Sequence, residues 1–192
     1  MPEDLLTVVR NVARLMSLQR SGLLDTPPEE TFDRFTRLAS HLLRARTALL
    51  SLVDENRQFF KSATGLVEPW AGRRETPLTH SICKHVVEMG TGLVVPDGRV
   101  HPVLRGNPAV DECGFVAYAG MPVFAGDGHI LGTLCVMDDK PREWKRSDLD
   151  ALQDLAACVT EAIALRTHLR ESERACRTSE ARLREIEERR VV

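Results

Sequence analysis

Cysteine and histidine side chains carry most of the reactive chemistry that this chain offers. His80, Cys83 and His85 lie close together, and Cys113 and Cys135 follow further along the chain. A thiolate is a nucleophile and a redox centre, and a helix N-terminus lowers the pKa of a thiol. Because Cys83 is predicted to lie near a helix N-terminus, it is either a redox-sensing thiol or a small buried apolar side chain.

Metal binding is the second chemistry that these residues suggest. On a helix, positions 80 and 83 are neighbours and position 85 points elsewhere, and no pair has the tight spacing of a structural zinc site. We therefore expect no metal ion and no haem, and the sequence identifies no cofactor. The further candidate ligands that we considered are His101, Cys113 and Cys135.

Three other function classes lack their usual sequence features. A Ser-His-Asp hydrolase needs a nucleophile elbow, and none is present. The glycines between 126 and 132 fit a hairpin better than a phosphate-binding loop. The formal net charge is -2 and the basic residues are scattered, so we expect neither a nucleic acid nor a membrane surface as partner.

Length and cysteine usage indicate a single cytoplasmic domain with helical extensions. The chain has 192 residues and 5 cysteines, an odd number without a paired framework, which favours a reducing compartment. The N-terminus lacks the features of a signal peptide. No apolar run approaches the roughly 20 residues that cross a bilayer.

Hydrophobic periodicity predicts mixed α and β structure. A first helix is expected over 4–20, with Leu5, Val8, Val12 and Met16 on its apolar face. A loop is expected over 65–77, and Thr79 or Ser81 is expected to cap a helix that ends near Met89. The remaining elements are a helix over about 29–43, strands over 47–53, 57–63, 93–96, 115–124 and 130–137, and a helix capped by Ser147 that runs to about 189.

The last helix contains a heptad pattern typical of a left-handed coiled coil. We expect it to pair in parallel with a second copy, although Ser172, Ser179 and two cysteines weaken the seam. A solvated single helix is the alternative, but isolated helices are marginal in water. The predicted dimer seam consists of Leu155, Ala162, Leu165, Leu169, Cys176, Leu183 and Ile186.

Seven short segments in a fixed order resemble the GAF domains of bacterial signal-transduction proteins. They are Leu23–Glu30, Ser51–Asp54, Phe59–Ser62, Thr79–Cys83, Ala117–Val123, Leu131–Asp138 and Pro141–Trp144. The resemblance covers about residues 5–170. It implies an α+β fold with a six-stranded antiparallel sheet flanked by helices, and a small-molecule pocket on one face of the sheet.

The resemblance also implies where such a pocket lies and how the chain divides. The pocket is expected between the sheet and the helix that ends near Met89, closed by the segment 96–115. We expect an N-terminal helix over 1–22, a sensor domain over 23–165 and a coiled-coil signalling helix over 166–192. The residues expected to line the pocket are Phe60, Thr79, Ser81, Cys83, Asp97, Tyr118, Met121 and Cys135.

On this basis the sequence predicts a non-enzymatic sensory module that dimerises through its terminal helices and acts on an output domain. The output is a kinase, phosphatase or cyclase, and the ligand is unknown. Some GAF domains carry a bilin on a cysteine followed by histidine, but Cys83 is followed by Lys84, so a bilin is not expected. The alternatives are a thiol-based reductase of free methionine sulfoxide and a ligand-free dimerisation scaffold.

Overall fold

A six-stranded antiparallel sheet in the order β3-β2-β1-β6-β5-β4 forms the centre of the protein. The computed structural model describes residues 6–190, except for the side chains at 183, 185 and 187–190. The helices are α1 (Val12–Ser21), α2 (Glu30–Leu43), α3 (Trp70–Arg73), α4 (Cys83–Met89), α5 (Pro108–Asp111) and α6 (Arg146–Arg190). The strands are β1 (Thr47–Val53), β2 (Arg57–Thr64), β3 (Glu75–Pro77), β4 (Leu93–Val95), β5 (Ala117–Phe124) and β6 (Ile130–Asp138).

The central strands are buried on both faces, and each face has its own apolar core. Successive side chains of a strand point to opposite faces. Thus Leu50 and Leu134 pack with α2 and α6 on one face, whereas Leu49 and Cys135 pack with α4 on the other. The expected six-stranded antiparallel sheet with helices on both sides is confirmed.

The N-terminal helix is shorter than the periodicity predicts. It begins at Val12, because the side chain of Asn11 caps it by accepting a hydrogen bond from the backbone of Arg14. Residues 7–10 form turns, and the predicted apolar face does not hold, since Val12 and Met16 are exposed. Leu5 lies outside the described residues.

Two further local predictions need correction. The expected loop over 65–77 contains α3 and β3, a strand too short to produce a recognisable alternation. Ser147 is not the cap of the last helix, which begins one residue earlier at Arg146. Instead, the carboxylate of Asp148 accepts a hydrogen bond from the backbone of Lys145 at 3.2 Å. None of the helices within 6–190 has the length and hydropathy needed to cross a bilayer.

Arg142 joins the end of the sheet to the end of α2. Its guanidinium pairs with Asp138 at 2.7 Å and donates to the backbone oxygens of Leu43 and Arg44. Those carbonyls belong to the last turn of a helix, where they have no partner within the helix. Trp144 packs under the same guanidinium, at 4.4 Å from the ring centroid. The segment Pro141–Trp144 is therefore a structural clasp that precedes α6.

Gly132 allows β1 and β6 to approach closely at the centre of the sheet. A Cβ placed at this position would lie 1.9 Å from the backbone oxygen of Ser51. No contact with a backbone atom is tolerated at that distance, so an added methyl group must separate the two strands. By contrast, a Cβ at Gly126, in the turn before β6, would meet its nearest neighbour at an ordinary 3.6 Å.

We expect Gly132→Ala to lower the free energy of unfolding by about 2 kcal/mol, because overpacking forces backbone shifts. Gly126→Ala is the matched control and is expected to change it by less than about 0.5 kcal/mol. Urea unfolding followed by circular dichroism measures both. Equal effects of the two substitutions would contradict the close approach of β1 and β6.

Candidate functional site

A small cavity lies between the sheet and α4, on the face that carries the second core. Its volume is about 20 Å³, which is room for about one water molecule. The segments around α3 and α5 form its outer wall. The cavity is lined by Leu49, Gln58, Phe60, Leu66, Trp70, Thr76, His80, Ile82, Cys83, Ala109, Cys113, Phe115, Tyr118 and Met137.

Four of the predicted pocket residues lie together at this cavity. Phe60, Cys83 and Tyr118 line it. Cys135 lies directly beside them, with its sulfur 3.8 Å from that of Cys83. These residues come from β2, α4, β5 and β6, so the fold assembles the group from distant parts of the sequence.

The other four predicted pocket residues lie elsewhere. Met121 packs in the core on the opposite face of the sheet, because it is an odd number of positions from Tyr118 along β5. Thr79 is exposed. Asp97 forms an ion pair with Arg99 at 2.6 Å. Ser81 is buried and caps α4, since its hydroxyl accepts from the backbone of Lys84 at 3.0 Å and donates to Gln58.

Several residues that line the cavity are absent from the predicted set, although strand alternation identifies some of them. Gln58 is two positions before Phe60 on β2, and Met137 is two positions after Cys135 on β6, so both point to the cavity face. Trp70, Ala109 and Phe115 come from the connecting segments, which carry no periodic signal.

The thiols of Cys83 and Cys135 ionise as a pair. Burial raises the pKa of Cys83, but the hydrogen bonds with Cys135 and Tyr118 and the nearby hydroxyl of Thr133 outweigh it and lower that pKa to about 7. The hydrogen bond to Cys83 and burial both raise the pKa of Cys135. The pair therefore holds one negative charge more readily than two. Within the described part of the chain, no group of three His, Cys, Asp or Glu residues is placed to hold a metal ion.

A wider cleft of about 490 Å³ lies along the outer edge of β2. Its polar side chains already have partners. Ser62 donates to Asp33 at 2.6 Å, Arg37 pairs with Glu30, and Arg74 donates to backbone oxygens of β2. These polar side chains of the cleft are therefore already engaged and would have to give up a partner to bind a ligand.

Glu29 connects the strand beside the cavity to the last helix. Its carboxylate accepts from Lys61 of β2 at 2.6 Å and from two nitrogens of Arg166 of α6, each at 2.8 Å. The Lys61 ammonium also donates to Thr26 and Pro27. Burial raises the pKa of Glu29, but the bonds from Arg166 and Lys61 prevail and lower it. The neighbour of Lys61 on β2 is Phe60, which lines the cavity.

Glu88 connects α4 to the N-terminal segment. Its carboxylate accepts from the backbone nitrogens of Thr7, Val8 and Val9 at 3.0 to 3.1 Å. Burial raises the pKa of Glu88 and these backbone bonds lower it, with a net decrease. Arg14 of α1, almost fully buried, continues the connection by donating to the oxygen of Val9 at 2.6 Å.

Only part of the predicted dimer seam on α6 is exposed in the single chain. Leu155 and Ala162 pack partly against the core of their own sheet, next to the buried row Leu152, Ala156, Val159 and Ile163. Beyond that row the helix leaves the domain, and the side chains described from 171 onward are exposed. Leu165, Leu169, Cys176 and Ile186 are exposed, and the side chain of Leu183 lies outside the described set.

Comparison with known proteins gives a consistent match. The profile of the GAF domain family matches residues 27–163. A Pseudomonas aeruginosa protein named as a cyclic di-GMP phosphodiesterase is 33% identical over 132 residues, or 68% of this chain and 22% of the relative. The chain thus spans about a fifth of the length of that relative.

Solved structures share the fold at low sequence identity. The GAF domain of an Acinetobacter phosphoenolpyruvate-protein phosphotransferase is 16% identical with a TM-score of 0.58, covering 79% of this chain and 92% of that domain. A free methionine-R-sulfoxide reductase from Neisseria meningitidis is 15% identical with a TM-score of 0.58, covering 85% and 92%.

These matches contradict the prediction that the chain is not an enzyme. The curated relative carries the name of a phosphodiesterase, and the same fold occurs in a methionine sulfoxide reductase. The sequence prediction equated this fold with a purely regulatory role, whereas the fold alone does not determine whether a protein is catalytic.

His85 of α4 makes the helix beside the cavity sensitive to pH. Burial lowers its pKa to about 4, and the charge of Lys84 adds to the effect. The imidazole is therefore neutral in the folded chain, whereas in the unfolded chain it takes up a proton below its ordinary pKa. Because the unfolded state binds more protons, stability is lost as the pH falls from about 6.5 towards 4.

We expect the free energy of unfolding to fall by about 2 kcal/mol through His85 between about pH 7.5 and pH 5. His85→Leu should remove that part of the pH dependence, and His168→Leu, on the exposed surface of α6, should keep it. Urea unfolding at both pH values measures the difference. A pH dependence unchanged by His85→Leu would contradict the assignment.

Proposed function

The chain belongs to the GAF domain family, and from this premise we propose that it is a sensory module of bacterial signal transduction. In this proposal a cytoplasmic homodimer binds a small molecule at the cavity beside α4. The signal passes through the terminal helices to an output domain, which is a kinase, phosphatase or cyclase. The proposed division is an N-terminal helix over 1–22, a sensor over 23–165 and a signalling helix over 166–192.

The observation that carries this proposal is the Glu29 ion pair. One carboxylate binds Lys61, next to the cavity residue Phe60, and also binds Arg166 at the start of the proposed signalling helix. Lys61 has no exposed side-chain surface, so its charge depends on this partner. A displacement of β2 at the cavity therefore changes the anchoring of α6.

A second connection supports the same direction of signalling. Glu88 of α4 holds the backbone of residues 7–9, and α1 follows directly and contacts α6. The cavity is thus joined to α6 from two sides, through β2 and through α4. A ligand that displaces either element biases two arrangements of the terminal helices.

Ligand binding requires the outer wall of the cavity to move, because the present volume suits about one water molecule. The segment 96–115 is the part that we propose to move. It contributes Ala109, Cys113 and Phe115 to the wall. Thr76 also lines the cavity, and its buried hydroxyl has no hydrogen-bond partner among the described residues, so a polar ligand would gain a bond there.

The proposed dimer uses exposed apolar side chains of α6. Leu165 is 61% exposed and Leu169 is 53% exposed in the single chain. Both belong to the heptad seam, and pairing two copies removes these surfaces from water. Leu155 and Ala162 then contribute only their outward surface, since part of each side chain already packs on its own domain.

Native mass spectrometry of protein purified from its own host tests the proposal. We expect twice the 21.5 kDa chain mass with an added non-covalent small molecule. Leu165→Glu combined with Leu169→Glu should give a folded monomer, because it places charges in the seam. Val100→Glu alters an equally apolar residue, 75% exposed, and should leave the dimer intact. A monomeric wild-type chain would refute the dimer, and a dimer without added mass would refute ligand retention.

A further inference from the structure

Cys83 and Cys135 form a buried pair of thiols. Their sulfurs are 3.8 Å apart, while a disulfide has an S–S distance of about 2.05 Å. Cys83 begins α4 and is 2% exposed, and Cys135 lies in the middle of β6 and is 0% exposed. Two elements that are far apart in sequence therefore hold two thiols in van der Waals contact.

The surroundings of Cys83 stabilise a thiolate. The hydroxyl of Tyr118 donates to its sulfur at 3.4 Å. The hydroxyls of Ser51 and Thr133 are buried on the same face of the sheet and make no standard hydrogen bond to the described residues. Hydroxyls with no other acceptor can turn their protons towards a negative sulfur. Burial raises the pKa of Tyr118 well above its usual value, so its hydroxyl stays a donor.

The cavity gives access to one of the two sulfurs. Cys83 lines it, and its outer wall includes the partly exposed residues Trp70, His80 and Phe115. A volume of about 20 Å³ is close to that of one water molecule, so hydrogen peroxide, the smallest peroxide, suits it better than a larger oxidant. Cys135 does not line the cavity, so an oxidant meets Cys83 first.

We propose that Cys83 and Cys135 form a reversible intramolecular disulfide when hydrogen peroxide enters this cavity. The Cys83 thiolate attacks one peroxide oxygen, the O–O bond breaks, and hydroxide leaves and is protonated to water. The product is a sulfenic acid on Cys83. The sulfur of Cys135 then attacks that of Cys83, its proton goes to the departing hydroxyl group, and a second water leaves. Peroxide is reduced by two electrons, and the two thiols are oxidised by two.

The disulfide changes the position of α4. Shortening the S–S distance from 3.8 Å to about 2.05 Å draws the start of α4 towards β6. The same helix carries Glu88, which holds the N-terminal segment. The reaction needs neither a larger ligand nor a second subunit, so its outcome is independent of the proposed sensory function.

Peptide mapping after peroxide treatment tests the proposal. The experiment uses the full chain with the substitutions Cys158→Ser and Cys176→Ser, which remove the two exposed thiols. This protein is treated with hydrogen peroxide, and its remaining thiols are alkylated after denaturation. We expect a Cys83–Cys135 cross-linked peptide, the loss of two hydrogens from the intact mass, and full reversal by dithiothreitol. Free thiols at both positions, or a cross-link of Cys83 to Cys113, would overturn the proposal.

Three variants separate the roles of the residues. Cys135→Ala should stop at the sulfenic acid, which dimedone traps on Cys83. Cys113→Ser should leave the disulfide unchanged, and loss of the disulfide in that variant would refute the assignment.

Tyr118→Phe removes the hydrogen bond to the thiolate. It should slow oxidation about fivefold at pH 7, because a rise of about one unit in the Cys83 pKa, which is about 7, lowers the thiolate fraction from about one half to about one tenth, and it should restore the rate at higher pH. A slow rate at every pH would indicate a structural role for Tyr118.

Discussion

The pairing of the Glu29 carboxylate with Lys61 and Arg166 is the interaction on which the connection between the sheet and α6 depends. Glu29 directly precedes α2, and it holds one cation from the sheet and one from α6. Lys61 is completely buried, and such a charge is tolerated only when it is paired and hydrogen-bonded. Burial lowers the pKa of Lys61, while the bond to Glu29 raises it. The residues directly before α2 are therefore joined to β2 through Lys61.

The alternation of the central strands gives the sheet two faces, each with its own apolar core. One face anchors α2 and the buried row of α6, and the other carries the cavity, α4 and the paired thiols. Neighbouring residues such as Leu134 and Cys135 belong to different faces, although they share one backbone. A strand that is displaced on the cavity side therefore also displaces the side chains that pack against α6 on the other face. At Gly132, β1 and β6 approach so closely that a side-chain carbon would collide with the backbone of Ser51.

Much of this architecture could be predicted from the sequence, and the errors have physical causes. Short segments in a fixed order, such as Phe59–Ser62, predict the fold correctly, because several of them lie in the strands of the central sheet. Met121 was placed in the pocket although alternation from Tyr118 puts it on the other face. The start of α1 directly after Asn11 is not predicted, because hydrophobic periodicity does not reveal which polar residue caps a helix. The contacts of Glu29 with Lys61 and Arg166 join residues far apart in sequence, which no local pattern predicts.

Hydrogen exchange across α6 in two neighbouring variants tests most directly whether Glu29 couples the cavity side of the sheet to the last helix. Glu29→Gln removes the charge shared by Lys61 and Arg166, whereas Glu30→Gln removes one that pairs with the exposed Arg37. We expect Glu29→Gln to increase exchange around 159–170 and to lower the free energy of unfolding by about 2 kcal/mol. Glu30→Gln should change it by less than about 0.5 kcal/mol. Equal exchange of α6 in the two variants would contradict the account.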